Sequence, residues 1–466
     1  MRERAGNYGH RAGIRRGLSL GGLRRRFGVD AGGGRLHGAN GFQPELIADF
    51  VNGDYRNGGE PCAFGDLFTF SRASESGFFL NRDGVMERTA SGVARQQTWR
   101  MESGVMVPKG LALESDAGTN LVPESRDLDE WGGAVTNLTV SADADTAPDG
   151  TATATRLTTA VTSGASHLIR EALTKAAAAT DYVWSIHVKA DGFGFFSTFL
   201  HGTSSSNRVE LSGNLTTGAV STASAGTGFT VHESGSEELP NGWWRFWIAF
   251  QSNADTDLGI QHYVADGLLD ETLDGDGASG ILSWGADLKA GRVLSSHVPT
   301  DGGTATRAAE VISIAAADLP YSATAMSIAM EGGIGYVDNG STTEALFYNW
   351  AADADNFILA KLNTASTNTG RLDAQQEETT TNDAAVGNSQ LTPGVLVPFS
   401  IAARHGATFI QLGNDGVAGT VNATPTALPD LSSSGLDLAD DFNGTISRFR
   451  MWDADIGAAG IAEASA

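Results

Sequence analysis

One short stretch of this chain has the side chains to grip a sugar. In Trp243-Trp-Arg-Phe-Trp-Ile-Ala-Phe250, strand alternation sends Trp243, Arg245 and Trp247 to one face and Trp244, Phe246, Ile248 and Phe250 to the other. Indole rings lie well against the apolar side of a pyranose, and a guanidinium catches paired hydroxyls. The same three positions suit packing between domains or subunits. Trp247 is the first choice for a sugar contact, because tryptophan is rarely left wet without a purpose. Tyr348 and Trp350, with Asn356 beyond the next turn, form a second candidate cluster, whereas Trp184, Phe246 and Trp284 read as core. A different chemistry is offered by Asp266, Asp270, Glu271, Asp274 and Asp276, which crowd one loop. Hard oxygen ligands on an irregular loop are what a structural Ca2+ takes. The competing reading is a solvated acidic turn, since the loop lacks the Asp-x-Asp-x-Asp-Gly spacing. Asp353 with Asp355, and Asp437 with Asp440 and Asp441, are lesser candidates.

Other chemistries lack their signatures. There is no G-x-S-x-G elbow, no H-E-x-x-H, and no Gly-rich loop followed by the Lys of a phosphate cradle. Glycoside hydrolysis needs two carboxylates about 5–9.5 Å apart, and 55 acidic residues make sequence pairing uninformative. The expectation is a non-enzymatic protein that needs no cofactor, with a polysaccharide depolymerase as the alternative.

The elements that must position these residues are strands. From residue 42 onward short apolar runs alternate with Gly, Asn, Asp and Ser, as in sandwiches. Asp181–Lys189 reads as a half-buried strand with Tyr182, Trp184, Ile186 and Val188 on one face. Further strands are expected at 195–200, 207–211, 229–233, 281–288, 324–331, 345–349, 356–362, 396–404, 407–412 and 445–452. Helix is expected only at Glu45–Phe50 and Leu168–Ala179. Two β-blocks meet near 300–310, with polar, Gly-rich Thr300–Thr306 as the linker.

The 466 residues include one cysteine, Cys62, so neither an intrachain disulfide nor a cysteine-built zinc site is available. No apolar run is long enough for a membrane-spanning helix, and residues 1–41 lack the apolar core of a signal peptide. Neither membrane insertion nor ordinary secretion is therefore expected. Net charge is −24, split between a +7 arm (residues 1–41, nine Arg) and a −31 body. A body this acidic repels phosphate backbones, which argues against nucleic acid as a partner. The arm, with Arg15, Arg16, Arg24, Arg25 and Arg26 at its centre, reads as a docking peptide for an acidic protein surface; a disordered tail and a start codon placed too early are the bland readings.

Several segments resemble a recurring layout of phage and prophage structural proteins. Phe68-Thr-Phe-Ser-Arg-Ala-Ser74 followed by Asn81-Arg-Asp-Gly-Val85 resembles the opening of tail-fibre and head-spike proteins. Gly110-Leu-Ala-Leu-Glu-Ser through Asn120, Leu121 and Trp131 is similar to their next stretch, with Ser115–Gly118 departing from the pattern. Asn241-Gly-Trp-Trp-Arg245, Trp284-Gly-Ala-Asp-Leu-Lys-Ala-Gly291 and Val298-Pro-Thr through Thr306-Arg-Ala-Ala309 follow in the same order. This resemblance, over roughly residues 42–310, implies a carbohydrate-binding-module-like jelly roll on a head spike or tail fibre of a phage, prophage or gene-transfer-agent-like particle. Residues 310–457 separately resemble a concanavalin-A-like, laminin-G-like sandwich through Phe399–Arg404, Phe409–Gly416 and Phe442–Trp452. The hydrolases of that group carry E-x-D-x-x-E on one strand, which has no counterpart here.

The resulting expectation is an all-β chain: tandem antiparallel β-sandwiches (jelly rolls) behind a mostly irregular N-terminal attachment segment. Its parts are a docking arm (1–41), an attachment or collar region (42–110), a jelly roll (111–308), a laminin-G-like sandwich (309–457) and a tail (458–466). The expected partners are host surface or capsular polysaccharide, a capsid or tail protein reached through the N-terminal arm, and further copies of the chain, as a trimer or a vertex-matched pentamer. The expected location is the surface of a virion or phage-like particle, after synthesis in the bacterial cytoplasm.

Overall fold

The computed structural model describes residues 38–337, 344–365 and 369–466. The proposed docking arginines Arg15, Arg16, Arg24, Arg25 and Arg26 lie outside the described residues. Within them the chain is all-β and antiparallel, folded into two sandwiches, as the alternation predicts.

The first sandwich is the jelly roll. Its six-stranded sheet runs in the order Leu138–Asp145, Ala154–Thr159, Gly280–Ala290, Asp181–Asp191, Trp243–Gln251, Thr230–Glu238. Facing it are five strands: His167–Thr174, Asp257–Ala265, Phe195–His201, Arg208–Asn214 and Val220–Ala225. Trp184, Ile186, Val188, Phe246, Ile248 and Phe250 meet Phe196, Leu200, Ile260 and Val264 between the two sheets. Asp181–Asp191 is buried on both faces, not half-buried, because it lies inside a sheet that is covered on both sides.

The second sandwich draws its strands from both ends of the chain. The closing strand Asn443–Trp452 lies beside Ala325–Tyr336 on one edge; along the other it takes Leu46–Asp49 on its second half and Val105–Glu114 on its first. Thr69–Ser71 adds to the opposite sheet through Val311–Ile314. Leu46, Phe50, Leu67, Phe68, Leu111 and Leu113 share one core with Phe347, Phe399, Ile446 and Phe449. Residues 42–110 are therefore part of this sandwich and not a separate collar, and burial of their apolar residues is the reason. Gly110 explains why the resembling stretch opens on glycine. Its φ of +88° turns the chain where a Cβ would sit 2.3 Å from the Ile446 carbonyl oxygen.

Four local expectations are corrected. Leu46–Asp49 is a strand rather than a helix, because four consecutive apolar-flanked residues fit a doubly covered strand equally well and ladder partners decide. His167–Thr174 is likewise a strand, paired with Asp257–Ala265. The supposed linker is built in: Thr300 is buried, and Ala305–Arg307 pairs with Gly118–Asn120. The tail forms a helix, Gly457–Ala464, whose Ile461 packs against Trp452 and Ala402.

Candidate functional site

The residues chosen from sequence as sugar contacts are interior. Alternation does place Trp243, Arg245 and Trp247 together on the outer face of the six-stranded sheet, but that face is the junction with the second sandwich and its N-terminal strands. Trp243 is 2% exposed, packs with Phe78, Leu80, Met86 and Trp284, and donates its Nε1–H to the Thr146 carbonyl at 3.3 Å. Arg245 donates to Ser185 Oγ at 2.9 Å and to the Ser295 carbonyl at 2.7 Å. Trp247 is 5% exposed and packs with Val183, Leu294 and Val395, the last from the second sandwich. Tyr348 and Trp350 are fully buried; Tyr348 bonds His405 Nε2 through its hydroxyl at 3.0 Å, and Trp350 Nε1 donates to the Ser434 carbonyl at 2.8 Å. None of the five can stack on a sugar in this fold. An aromatic strand face signals a large contact area, and here protein supplies the contact.

The resembling segments converge at the same junction. Arg72 of Phe68–Ser74 donates to Glu310 Oε1 at 2.7 Å. Arg95 bridges Glu310 at 2.7 Å and Glu114 at 2.9 Å, and Arg307 reaches Glu114 at 2.9 Å. Glu114 also accepts from the Ser296 amide and hydroxyl. All these ionic groups are buried. Burial by itself would raise the Glu114 carboxyl, but Arg95 and Arg307 overcome it and hold the group far below the usual carboxylate range. Nearby, burial is likewise outweighed for Asp287, which Lys289 (2.8 Å) and His297 (3.2 Å) pull down to about 2. The recurring motif residues thus build a charged junction between the sandwiches.

The five loop carboxylates do not converge on a calcium site. Asp270 Oδ1 accepts from the Thr272 amide at 3.2 Å, Asp274 from Ser163 Oγ and the Gly164 amide at 2.6 and 2.7 Å, and Asp276 from the amides of Ala278 and Ser279 at 2.8 and 2.7 Å. Glu271 turns to Glu210. Asp266 begins the loop and joins none of these contacts. Among the described residues no three His, Cys, Asp or Glu side chains are grouped to hold a metal ion. Asp and its neighbours cap short turns readily, which is the physical reason an acidic loop need not be a cation site.

The surface left available lies on the other sheet of the jelly roll. Ile169, Ile260, Val264, Phe196, Leu200, Val209 and Leu211 point into the core, so the alternate residues form the outer face. Strand register sets them in rows. One row is Arg170, Gln261, Phe199, Glu210; the next contains His201 and Arg208; the row on the other side carries Leu168, Tyr263, Ser197 and Ser212. Phe199 and Tyr263, with centroids 4.8 Å apart, are nearly covered and make the floor. Arg208 lies over Phe199, its guanidinium carbon 4.1 Å from the ring centroid. Gln261 accepts from the Tyr263 hydroxyl and its Nε2 donates to His201 Nε2 at 3.2 Å. Gly259 lets His201 lie across the neighbouring strand, because a Cβ there would be 2.3 Å from the imidazole. Arg170, Gln261, His201 and Arg208 are all partly exposed.

The loop after Asp257–Ala265 folds back over this face. The Leu269 amide donates to Ser212 Oγ at 3.1 Å, and Glu271 meets Glu210, which also accepts from Ser197 Oγ at 2.8 Å. Burial, and then the contact with Glu271, push the Glu210 carboxyl from 4.5 up to about 8, so Glu210 keeps its proton at neutral pH. A carboxyl raised on folding stabilises the fold fully only below its ordinary range, and that contribution is lost as pH climbs toward 8. Glu210→Gln, which keeps a donor and cannot ionise, is expected to raise the unfolding temperature increasingly between pH 5 and pH 9. An identical change at both ends, by calorimetry, would contradict the raised Glu210 carboxyl.

Sequence reasoning found the strands at 195–200 and 207–211 but missed Asp257–Ala265, and so missed the face. The available signal was weak: one planar polar residue on each of several strands distant in sequence.

No protein-family profile matches the chain, and no curated protein matches it. Among solved structures, the CBM40 module of the Ruminococcus gnavus IT-sialidase bound to α2,3-sialyllactose is similar at 10% identity and TM-score 0.24, covering 31% of this chain and 84% of that one. Domains LG4-5 of the mouse laminin α1 chain are similar at 10% identity and TM-score 0.23, covering 62% of this chain and 88% of that one. At such scores neither likeness bears on what this chain binds.

Proposed function

We propose that this chain is a surface spike of a phage-like particle that adheres to host polysaccharide through the outer face of its five-stranded sheet. The observation that carries the reading is the set of planar polar groups, Arg170, Gln261, His201 and Arg208, held partly exposed over a rigid Phe199–Tyr263 floor. Planar donors and acceptors fixed on strands suit the paired hydroxyls of a sugar, and preorganisation lowers the entropic cost of binding. The particle part of the reading rests on the ordered resemblance of residues 42–310 to spike and fibre proteins, with the basic arm docking to capsid or tail. Several copies, as a trimer or a vertex-matched pentamer, would convert weak contacts into avidity.

The alternative reading is a depolymerase, in which two carboxylates about 5–9.5 Å apart would flank a glycosidic bond. The test is attachment of the full chain to host cells with and without their surface polysaccharide, with the supernatant assayed for released sugar. Polysaccharide-dependent attachment without release is expected. Attachment indifferent to polysaccharide would overturn the reading, and released oligosaccharide would replace adhesin with depolymerase.

A further inference from the structure

We infer that the ligand of this face is an acidic polysaccharide, whose carboxylate, sulfate or phosphate groups are received by Arg170 and Arg208; this rests on the glycan-binding reading above. The body of the chain is strongly acidic, and most of its described arginines are in ion pairs with carboxylates. Four make no ion pair among the described residues: Arg82, Arg126, Arg170 and Arg208. Two of these four share one sheet face.

The two are positioned, not loose. Arg170 is held by Nη1 donating to the Ala134 carbonyl at 3.0 Å and to Thr136 Oγ1 at 2.8 Å. Arg208 is fixed by its stack on Phe199 and by one bond, Nη1 to the Ser205 carbonyl at 3.2 Å. Its Nε is out of solvent and has no partner. A guanidinium that is stacked, partly buried and short of acceptors is prepared for a bidentate oxyanion.

Strand register places both cations on one face: Arg170 stands in the row of Gln261 and Phe199, and Arg208 is paired with His201 in the next. Three strand spacings separate their backbones, about 14 Å, so a ligand meeting both is a chain of sugars and not one ring. Glu210, two residues along the same strand, accepts from Ser197 Oγ and forms no ion pair with Arg208. The acidity of the rest of the body is no obstacle at physiological salt, where charges beyond about 8 Å are largely screened.

The test is a bacterial polysaccharide array holding neutral, uronate-containing, sulfated and phosphorylated chains, probed with the full chain and with Arg170→Gln, Arg208→Gln and Arg82→Gln. Circular dichroism confirms that each variant is folded. The expected result is binding to acidic chains that weakens with added salt, falls about tenfold or more in Arg170→Gln and in Arg208→Gln, and is unchanged in Arg82→Gln, which alters an exposed turn elsewhere. Binding confined to neutral chains, or acidic-chain binding untouched by either face substitution, would overturn the inference while leaving glycan binding in place. No binding to any chain would overturn both.

Discussion

Glu310→Ala is expected to be the most damaging single substitution in the described chain, costing about 3–5 kcal/mol. Glu310 is 1% exposed, and its two oxygens take Arg72 and Arg95 at 2.7 Å each and the Glu114 amide at 2.8 Å. Removing it strands Arg72 and Arg95 without their shared counter-ion. Arg95 keeps Glu114, but Arg72 retains only the Ser74 carbonyl and carbonyl and hydroxyl partners around Thr89–Val93. An uncompensated buried guanidinium is far more costly than the intact pair is stabilising. Urea unfolding of the full chain checks this. A loss below about 1 kcal/mol would mean that the cluster is wet or rearranges, and that the junction does not depend on it.

The second large effect belongs to Trp247. As a sugar contact Trp247 would, on truncation, weaken attachment; its burial at the junction makes stability the expected loss instead. The indole fills the space between Val183, Leu294 and Val395, and it lies so close over Gly235 that a Cβ there would be 2.9 Å from the ring. Truncation leaves a large cavity at the junction, with an expected loss of about 3–5 kcal/mol. The affinity of the remaining folded protein for polysaccharide should be unchanged, since the proposed face is on the opposite sheet. Thermal unfolding and attachment assays on the same preparation separate the two outcomes. Weaker attachment at full stability would return Trp247 to the binding site.

These cases show which features of the chain were legible in its sequence. Alternation in Asp181–Lys189 and Trp243–Phe250 gave the strands and even the correct partition of side chains between faces, because side-chain direction along a strand is a local property. Density of acidic residues at 266–276 was equally visible, yet its meaning was not: Asp270 and Asp276 found amides and hydroxyls within a few residues, and Asp274 found them on the paired segment Thr162–Ala165. That segment 42–110 belongs to the second sandwich was not legible, because its ladder partners, at 311–314 and 443–452, lie more than two hundred residues away.

The sequence by itself determined the all-β class, most of the strands and the faces on which their side chains fall. All of these follow from the period-two pattern of apolar residues and from turn residues that act over a few positions. Which face meets solvent was decided only by the tertiary structure, because covering a face is an act of residues remote in the chain. The aromatic face of Trp243, Arg245 and Trp247 was sealed by the second sandwich. The quieter face, assembled from Arg170, His201, Arg208 and Gln261 on four strands, was left open. No local pattern records that exchange, since burial is a property of the packed whole.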